Sequence, residues 1–278
     1  MEKTQNLQFE SPTFVQRLKG MLGVDFYRLF HTPLFYIFLA ISAIIPAMIL
    51  AMTGLENPET GEVTQMYTNT WQVIASNSPL YVVNDIAEYA NMNMVFIFGG
   101  IMVSIFIGHD YKSGYVKQLF TTHAKKQDYM MSKSITCAFA MGCMCITYLF
   151  GTVIAGLLTQ TSFEVNVGSL IIAIISKIIM SLGWASLYTF LNVIFRRYFG
   201  ISIVSSFIFG TGLPIIAVGM IVGNTAGSFL NVFLYGSSVF ACLSANIMTL
   251  LVCAAVSVAW AVIYNVLGTK ILSKSDVY

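Results

Sequence analysis

Long apolar stretches recur along the whole chain, and each approaches the length that a helix needs to cross a lipid bilayer. About 20 residues suffice, and six stretches qualify, at 33–52, 91–108, 134–158, 168–195, 200–222 and 244–268. Because they are continuous rather than alternating, they predict helices and not strands. Only 9% of the 278 residues are charged, against roughly 25% in soluble domains. These features predict an all-α integral membrane protein and exclude a soluble enzyme or a nucleic-acid binder.

The basic residues alternate between loops and predict the orientation. Thirteen of the 14 lie before the first stretch, after the second, after the fourth or in the tail. The intervening loops, 53–90, 159–167 and 223–243, contain none. Under the positive-inside rule this predicts a multi-pass protein of the cell (plasma) membrane with both termini in the cytoplasm. We therefore expect one multi-pass domain over 1–278, with a cytoplasmic segment 1–32, six spans within 33–268 and a cytoplasmic tail 269–278.

An amphipathic helix is predicted ahead of the first span. Ser11 and Pro12 suit a helix start, as a capping hydroxyl followed by a residue that needs no N–H. An apolar stripe follows at spacings of three and four, formed by Phe14, Leu18, Leu22 and Phe26. Arg17 lies off that stripe, and Arg28 near the end of the segment adds to its positive charge. The pattern predicts a helix in the inner membrane interface, with its basic residues toward anionic lipid headgroups.

The loop after the second span carries a short apolar face on an otherwise charged segment. This face consists of Tyr115, Val116, Leu119 and Phe120. An apolar face in water needs a partner, and three are open: the membrane surface, the chain's own helix ends, or another protein. The last is favoured. Asp110 is expected to cap the start of this helix, and Gly114 to supply the turn before it.

The same loop resembles the permease subunits of type-2 ABC exporters. In that family an acidic residue ends the second span, and a glycine, an apolar pair, a basic stretch and a lysine follow in order. Asp110, Gly114, Leu119-Phe120, Lys125-Lys126 and Lys133 follow that order here. The segment leading to Thr32-Pro33 also resembles the family's interfacial helix. The sequence departs from the pattern at Tyr115, where a small hydroxyl residue is usual, and at His123-Ala124, where proline usually precedes the basic pair.

The resemblance implies a transport subunit that catalyses nothing itself. A separate ABC ATPase would bind ATP and Mg²⁺, and this chain would bind no cofactor; it contains no G-x-x-x-x-G-K-[ST] loop. The loop of 109–129 would be the coupling helix that docks on the ATPase, with Asp110, Lys125 and Lys126 among its residues. Two permeases, as a homodimer or another pair, would export a hydrophobic or amphiphilic substrate such as a peptide antibiotic, drug or lipid-like compound. Within the family, the chain looks most like the permeases of bacterial peptide-antibiotic export and immunity systems.

Two features inside the spans are candidates for special roles. Lys177 is the one charge in a span, and it contacts either an anionic substrate or lipid group, or a neighbouring helix. In the fifth span, small residues and a proline predict close helix packing and a kink. They are Gly212, Pro214, Gly219 and Gly223.

The sequence fits two other classes of function less well. An intramembrane enzyme needs catalytic groups at membrane depth, and no Asp, Glu or His lies in mid-span. A secondary transporter, or another membrane protein not coupled to an ATPase, is the main alternative to an exporter subunit, although the spans offer no carboxylate for ion coupling. The five cysteines have no metal-site spacing and are interpreted as apolar packing residues.

Overall fold

The structure is a computed structural model and describes residues 12–53, 94–121, 124–158, 167–222, 232–243 and 246–274. Every regular element in these ranges is an α-helix. In chain order they are α1 Phe14–His31, α2 Pro33–Thr53, α3 Met94–Lys112, α4 Tyr115–Thr121, α5 Lys126–Leu158, α6 Val167–Ile194, α7 Phe199–Gly210, α8 Leu213–Val222, α9 Leu234–Leu243 and α10 Ile247–Lys274. Ser11, Gly223 and nearly all of the 53–90 loop lie outside the described residues.

Four of these helices, α3, α5, α6 and α10, are long and apolar enough to cross a membrane. Two further pairs qualify if each bent pair is one span: α1 with α2, bent by 65°, and α7 with α8, bent by 56°. The described residues therefore hold four to six candidate spans. The described part of the chain is therefore all-helical, as expected, and its long apolar helices are compatible with a multi-pass membrane protein.

The long helix α5 lies at the centre of the bundle and packs against α1, α2, α3, α6 and α10. The most extensive interface joins α6 to α10, and α7 packs chiefly on α3. Trp184 of α6 is buried between Phe96 and Tyr188, with ring centroids 5.5 and 5.6 Å away. Apolar side chains such as Phe150 and Val262 remain exposed on the outer faces, as expected where lipid is the solvent.

One end of the bundle collects most of the described basic residues. Contacts bring together α1, the α3–α4 turn, the first turns of α5, the α6–α7 turn and the last turn of α10. All the described lysines and arginines except Lys177 lie in or directly beside these segments, with Lys117 in α4. We call this the basic end; it corresponds to the side that the sequence predicts to be cytoplasmic.

Two local predictions need correction. The N-cap of α1 is Thr13, whose hydroxyl accepts from Gln16 N at 3.4 Å while Gln16 Oε1 accepts from Thr13 N at 2.9 Å. This reciprocal capping box satisfies two amides at once, so the N-cap lies two residues after the expected Ser11 and the helix begins at Phe14. The break in the fifth span falls at Thr211–Gly212, ahead of Pro214. Gly212 has φ 73°, a conformation that ends a helix, and Pro214 lies in the first turn of α8.

Candidate functional site

Four charged side chains form a buried cluster at the basic end. Asp25 and Arg28 come from α1, Asp110 from the last turn of α3 and Lys133 from α5. Lys133 Nζ lies 2.6 Å from Asp25 Oδ1 and 2.6 Å from Asp110 Oδ2. Arg28 Nη2 donates to Asp110 Oδ1, and Ser132 Oγ donates to Asp25 Oδ2 at 2.6 Å. The cluster joins three helices through two positive and two negative groups.

Its charges balance, which is what makes such deep burial tolerable. Asp110 and Lys133 are 0% exposed and Asp25 is 2% exposed. An isolated ion in such surroundings would be strongly destabilising, whereas paired and hydrogen-bonded ions offset their desolvation. Burial of the Arg28 guanidinium lowers its pKa, but the hydrogen bond and charge attraction of Asp110 outweigh this, so the net pKa is raised.

Aromatic rings extend the cluster to α4. The Tyr115 ring lies 4.3 Å from the Arg28 guanidinium carbon and 5.7 Å from Lys133 Nζ. Phe106 of α3 lies 4.8 Å from the same Lys133 nitrogen. Cations are attracted to the faces of such rings. The first residue of α4 is therefore held by the charges that join α1, α3 and α5.

Two further polar contacts stabilise the same end. Arg17 Nε donates to Asp128 Oδ2 at 2.7 Å, joining α1 to the first turn of α5. Lys126 Nζ donates to the backbone oxygen of Leu272 at 2.6 Å, joining α5 to the end of α10. Lys125 is exposed. Of the predicted lipid-facing basic residues of α1, both Arg17 and Arg28 are thus engaged by carboxylates of this chain.

The apolar face of α4 packs on the chain's own helix ends. Val116 is 1% exposed and belongs to a small buried cluster with Tyr129, Met130, Val193 and Leu272. Leu119 and Phe120 are half-buried against that cluster. This is the second of the three partners that the sequence left open, so the face does not require another protein. What α4 exposes instead is a polar face, formed by Lys117, Gln118 and Thr121.

Asp110 and Gly114 have different roles from one another. Asp110 does not cap α4, because both of its carboxylate oxygens face the cations Arg28 and Lys133. Gly114 has φ 74° and nothing would lie within 4 Å of an added Cβ. It therefore makes the turn between α3 and α4 through its backbone conformation alone.

The stripe of α1 is only partly covered. Leu18, Leu22 and Phe26 are half-buried, while Phe14 is exposed. Phe26 packs edge-on against Phe139 of α5, with ring centroids 5.1 Å apart. The stripe therefore contacts α5 at Phe26 and is open at its Phe14 end.

Lys177 approaches a neighbouring helix. Its Nζ lies 5.7 Å from the centroid of the Tyr148 ring, which belongs to α5 and is 4% exposed. Of the two contacts that the sequence left open for Lys177, this is the one with a neighbouring helix.

Of the small residues predicted to allow close packing in the fifth span, Gly219 of α8 is half-buried.

A second, uncharged network lies deeper between α3, α6 and α7. Asn192 Nδ2 donates to Ser104 Oγ at 3.1 Å and to Tyr188 O at 2.8 Å. Ser202 Oγ donates to Asn192 Oδ1, and Ser104 and Ser206 share a hydrogen bond of 2.7 Å. These polar groups are buried but satisfied within the bundle.

Sequence reasoning missed Asp25, Asp128 and Ser132 as members of the site. For Asp25 a signal existed: it lies three residues after Leu22 and four before Leu29, so it falls on the apolar stripe of α1. A carboxylate on a buried face requires a cation opposite. Nothing in the pattern identified that cation as Lys133.

No protein-family model matches the chain, and no curated protein matches it. Among the described residues, no group of three or more His, Cys, Asp or Glu is placed to hold a metal ion.

Proposed function

We propose that this chain is the transmembrane subunit of an ATP-driven exporter, with ATP and Mg²⁺ bound by a separate ABC ATPase. The observation that carries the proposal is the construction of the basic end. A short helix, α4, is joined rigidly to two long helices and to α1, and it presents a polar face outward. Such an element can transmit a push from a docked partner to the bundle.

The charge cluster supports this role because it gives α4 a stiff connection. Tyr115 lies against Arg28 and Lys133, and those cations hold α1, α3 and α5 together. A displacement of α4 therefore moves charges whose separation would be costly. The connection favours rigid motion of three helices over local bending of the loop.

Pairing of two subunits is part of the proposal. The first-span and fifth-span helices, α2 and α7, both pack on α3. Each also exposes apolar side chains, among them Tyr36, Ile37 and Ile44 on α2 and Ile201, Val204 and Phe207 on α7. A second copy against these faces would enclose a pathway for a hydrophobic or amphiphilic substrate between the two chains.

The test is recovery of the ATPase with variants of the polar face of α4. The triple variant Lys117→Ala, Gln118→Ala, Thr121→Ala should insert and unfold like the parent, because these side chains are exposed. It should lose most of the ATPase in a pull-down and lose substrate-stimulated ATP hydrolysis. The matched control, Lys270→Ala, Ser273→Ala, Lys274→Ala, alters exposed residues at the end of α10 and should retain both. Full ATPase recovery with unchanged transport in the α4 variant would contradict the assignment.

Replacing Leu119 and Phe120 by serine is a weaker test. Both side chains pack against Val116, Tyr129 and their neighbours, so their loss would destabilise the chain as well as any complex. A fall in ATPase recovery would then have two causes. The polar-face variant separates docking from folding.

A secondary transporter is the second candidate, and one observation favours it. Asp110 and Lys133 lie in the apolar helices α3 and α5 and are fully buried, whereas the sequence alone offered no carboxylate within the spans. Buried carboxylates are typical of ion-coupled transport. Transport that follows a proton or sodium gradient without any ATPase, and is abolished by Asp110→Asn, would favour this candidate over the exporter.

A further inference from the structure

A cavity of about 250 Å³ lies at the bend between α7 and α8, among α6, α9 and α10. Phe209 before the bend and Pro214 after it both line the cavity. The two helices meet at 56°. A Cβ on Gly212 would lie 2.2 Å from the ring of Tyr235, which is also a lining residue. The cavity therefore owes its shape to the break in this span, as irregular backbone at membrane depth is tolerated where it lines a cavity.

The cavity lies within the apolar part of the bundle and away from the basic end. Ile194 ends α6 at the basic end, and the lining residue Trp184 precedes it by ~15 Å along the helix. That distance is about half the thickness of a hydrocarbon core. Two other lining residues, Phe209 and Val218, are exposed. The cavity therefore opens through the outer surface of α7 and α8, where a lipophilic molecule can reach it.

The lining is apolar and rich in aromatic rings. Six of its 11 described residues are aromatic, the others are aliphatic, and none of them is charged. An ion would lose its hydration here without gaining a counter-ion. A cavity of about 150 Å³ accepts benzene, so this volume suits a molecule of about two fused rings.

Stacking among the aromatic residues sets which part of each ring borders the cavity. Trp260 stacks on Phe233 and on Tyr264, with ring centroids 5.8 and 5.3 Å away. Trp184 stacks on two rings in the same manner. In a stack the ring faces meet each other, and the edges remain for the space beside it. Ring edges are electropositive, whereas cations are attracted to faces. The lining therefore favours a neutral ring or an oxygen atom over a cation.

One hydrogen-bond donor at the cavity lacks an acceptor. Trp184 is 1% exposed, and its Nε1 has no hydrogen-bond partner among the described residues. The indole of Trp260, by contrast, donates to Val232 O at 2.8 Å. A buried indole N–H usually has a partner, and leaving it without one is destabilising. An oxygen atom on a molecule in the cavity would supply the acceptor.

We propose that this cavity binds a neutral, lipophilic molecule with an aromatic ring system and a carbonyl or ether oxygen that accepts from Trp184 Nε1. The edges of the stacked rings contact the ring system, and the hydrogen bond fixes its orientation. Binding requires neither ATP nor a partner subunit, so its test is independent of the exporter proposal.

The test measures calorimetric binding of three naphthalene probes to the full chain in lipid nanodiscs, with empty nanodiscs as the reference. Acetylnaphthalene is neutral and has an acceptor oxygen. Isopropylnaphthalene has nearly the same shape without the acceptor, and naphthyltrimethylammonium is a cation of similar size. The acetyl probe should bind about fivefold more tightly than the isopropyl probe, and about tenfold or more above the cation.

Two variants and a matched control locate the binding. Trp184→Phe keeps a ring but removes the donor, so affinity for the acetyl probe should fall about fivefold while that for the isopropyl probe stays unchanged. Val218→Trp fills the opening and should lower the affinity for both neutral probes about tenfold or more. Val262→Trp introduces the same side chain at an exposed valine of α10 that does not line the cavity, and it should bind like the parent.

Several results would overturn the proposal. One is parent binding no greater than that of empty nanodiscs, and another is tighter binding of the cation than of the acetyl probe. Equal losses in Val218→Trp and Val262→Trp would place the binding elsewhere. Equal losses of both neutral probes in Trp184→Phe would contradict the hydrogen bond. If Trp184→Phe fails to fold, equal affinities of the acetyl and isopropyl probes for the parent would contradict it instead.

Discussion

The two polar centres of the bundle solve the same structural problem in different ways. The charge cluster joins α1, α3 and α5 through Asp25, Arg28, Asp110 and Lys133. The uncharged network joins α3, α6 and α7 through Asn192 and the serines around it. Both are buried, and both include α3, so one helix is held by charges on one side and by neutral hydrogen bonds on the other.

The difference lies in what happens when one member is lost. Removing a charge leaves its partner ionised in surroundings that cannot solvate it, which costs about 3–5 kcal/mol. Removing a neutral donor leaves a hydroxyl or amide unsatisfied, which costs about 1–3 kcal/mol and often less between membrane helices. The charged side is therefore an all-or-none connection, and the neutral side tolerates adjustment. This division suits a fixed basic end beside helices that repack.

The largest effect is expected from Lys133→Met. Arg28 would then remain on Asp110, and Asp25 would keep only the hydrogen bond from Ser132, so a buried negative charge would be left uncompensated. We expect a loss of about 3–5 kcal/mol in unfolding free energy, measured by thermal or denaturant unfolding in detergent.

A double variant and a surface control sharpen that result. Asp25→Asn with Lys133→Met removes one charge of each sign and leaves the Arg28–Asp110 pair, so it should be more stable than Lys133→Met alone. Lys125→Met, at an exposed position beside the start of α5, should be near neutral. Equal stability of Lys133→Met and Lys125→Met would show that the cluster contributes nothing.

The next largest effect is expected at the α7–α8 break, beyond the neutral network. Gly212→Ala places a Cβ at a residue with φ 73° and 2.2 Å from the Tyr235 ring. Strain and overlap together should cost about 2–4 kcal/mol. Gly200→Ala, in α7 with nothing within 4 Å, is the matched control and should be neutral or slightly stabilising. If both variants unfold alike, the break is not fixed by Gly212.

The sequence also determines the two polar centres to different extents. Lipid requires long apolar helices, so the main helices follow from composition and length, and the Gly114 turn follows from residue type. The contact of Arg28 with Asp110 spans 82 residues of sequence, and periodicity on one helix does not reveal which face of another it meets. The capping role expected for Asp110 was wrong for that reason: local pattern suggested a local partner, whereas tertiary packing supplied Arg28 and Lys133. The cap expected at Ser11 was wrong for a local reason, since Thr13 and Gln16 form the capping box instead.

The neutral network was not predictable at all. Serines are scattered through α3, α6 and α7, and neither they nor Asn192 interrupt an apolar run enough to stand out. Only the approach of three helices reveals that Ser104, Asn192 and Ser202 meet. Charged residues in apolar segments are rare and therefore indicate a buried partner or a functional site. Small polar residues such as serine are common in membrane helices and do not indicate which helix they contact.

A moderate effect is expected from Asn192→Leu, which keeps the branching of the side chain and removes the hydrogen-bonding groups at the centre of the neutral network. Its side-chain nitrogen donates to Ser104 Oγ and to the backbone oxygen of Tyr188, and its side-chain oxygen accepts from Ser202 Oγ. We expect a loss of about 1–2 kcal/mol, clearly below that of Lys133→Met in the same assay. A loss as large as that of Lys133→Met would remove the distinction between the two centres.

The smallest effect is expected at Gly114→Ala, in the turn that leads into α4 beside the charge cluster. Gly114 has φ 74°, but an added Cβ would meet nothing within 4 Å. The left-handed conformation disfavours alanine, while the stiffer unfolded chain partly compensates, so the net loss should be about 1 kcal/mol. The comparison with Gly212→Ala then isolates the steric term, because the two glycines share their φ and differ in their surroundings. Asparagine tolerates this conformation better than alanine, so Gly114→Asn should be more stable than Gly114→Ala. If Gly114→Ala matched the loss at Gly212, the turn into α4 would be constrained by contacts other than the backbone conformation.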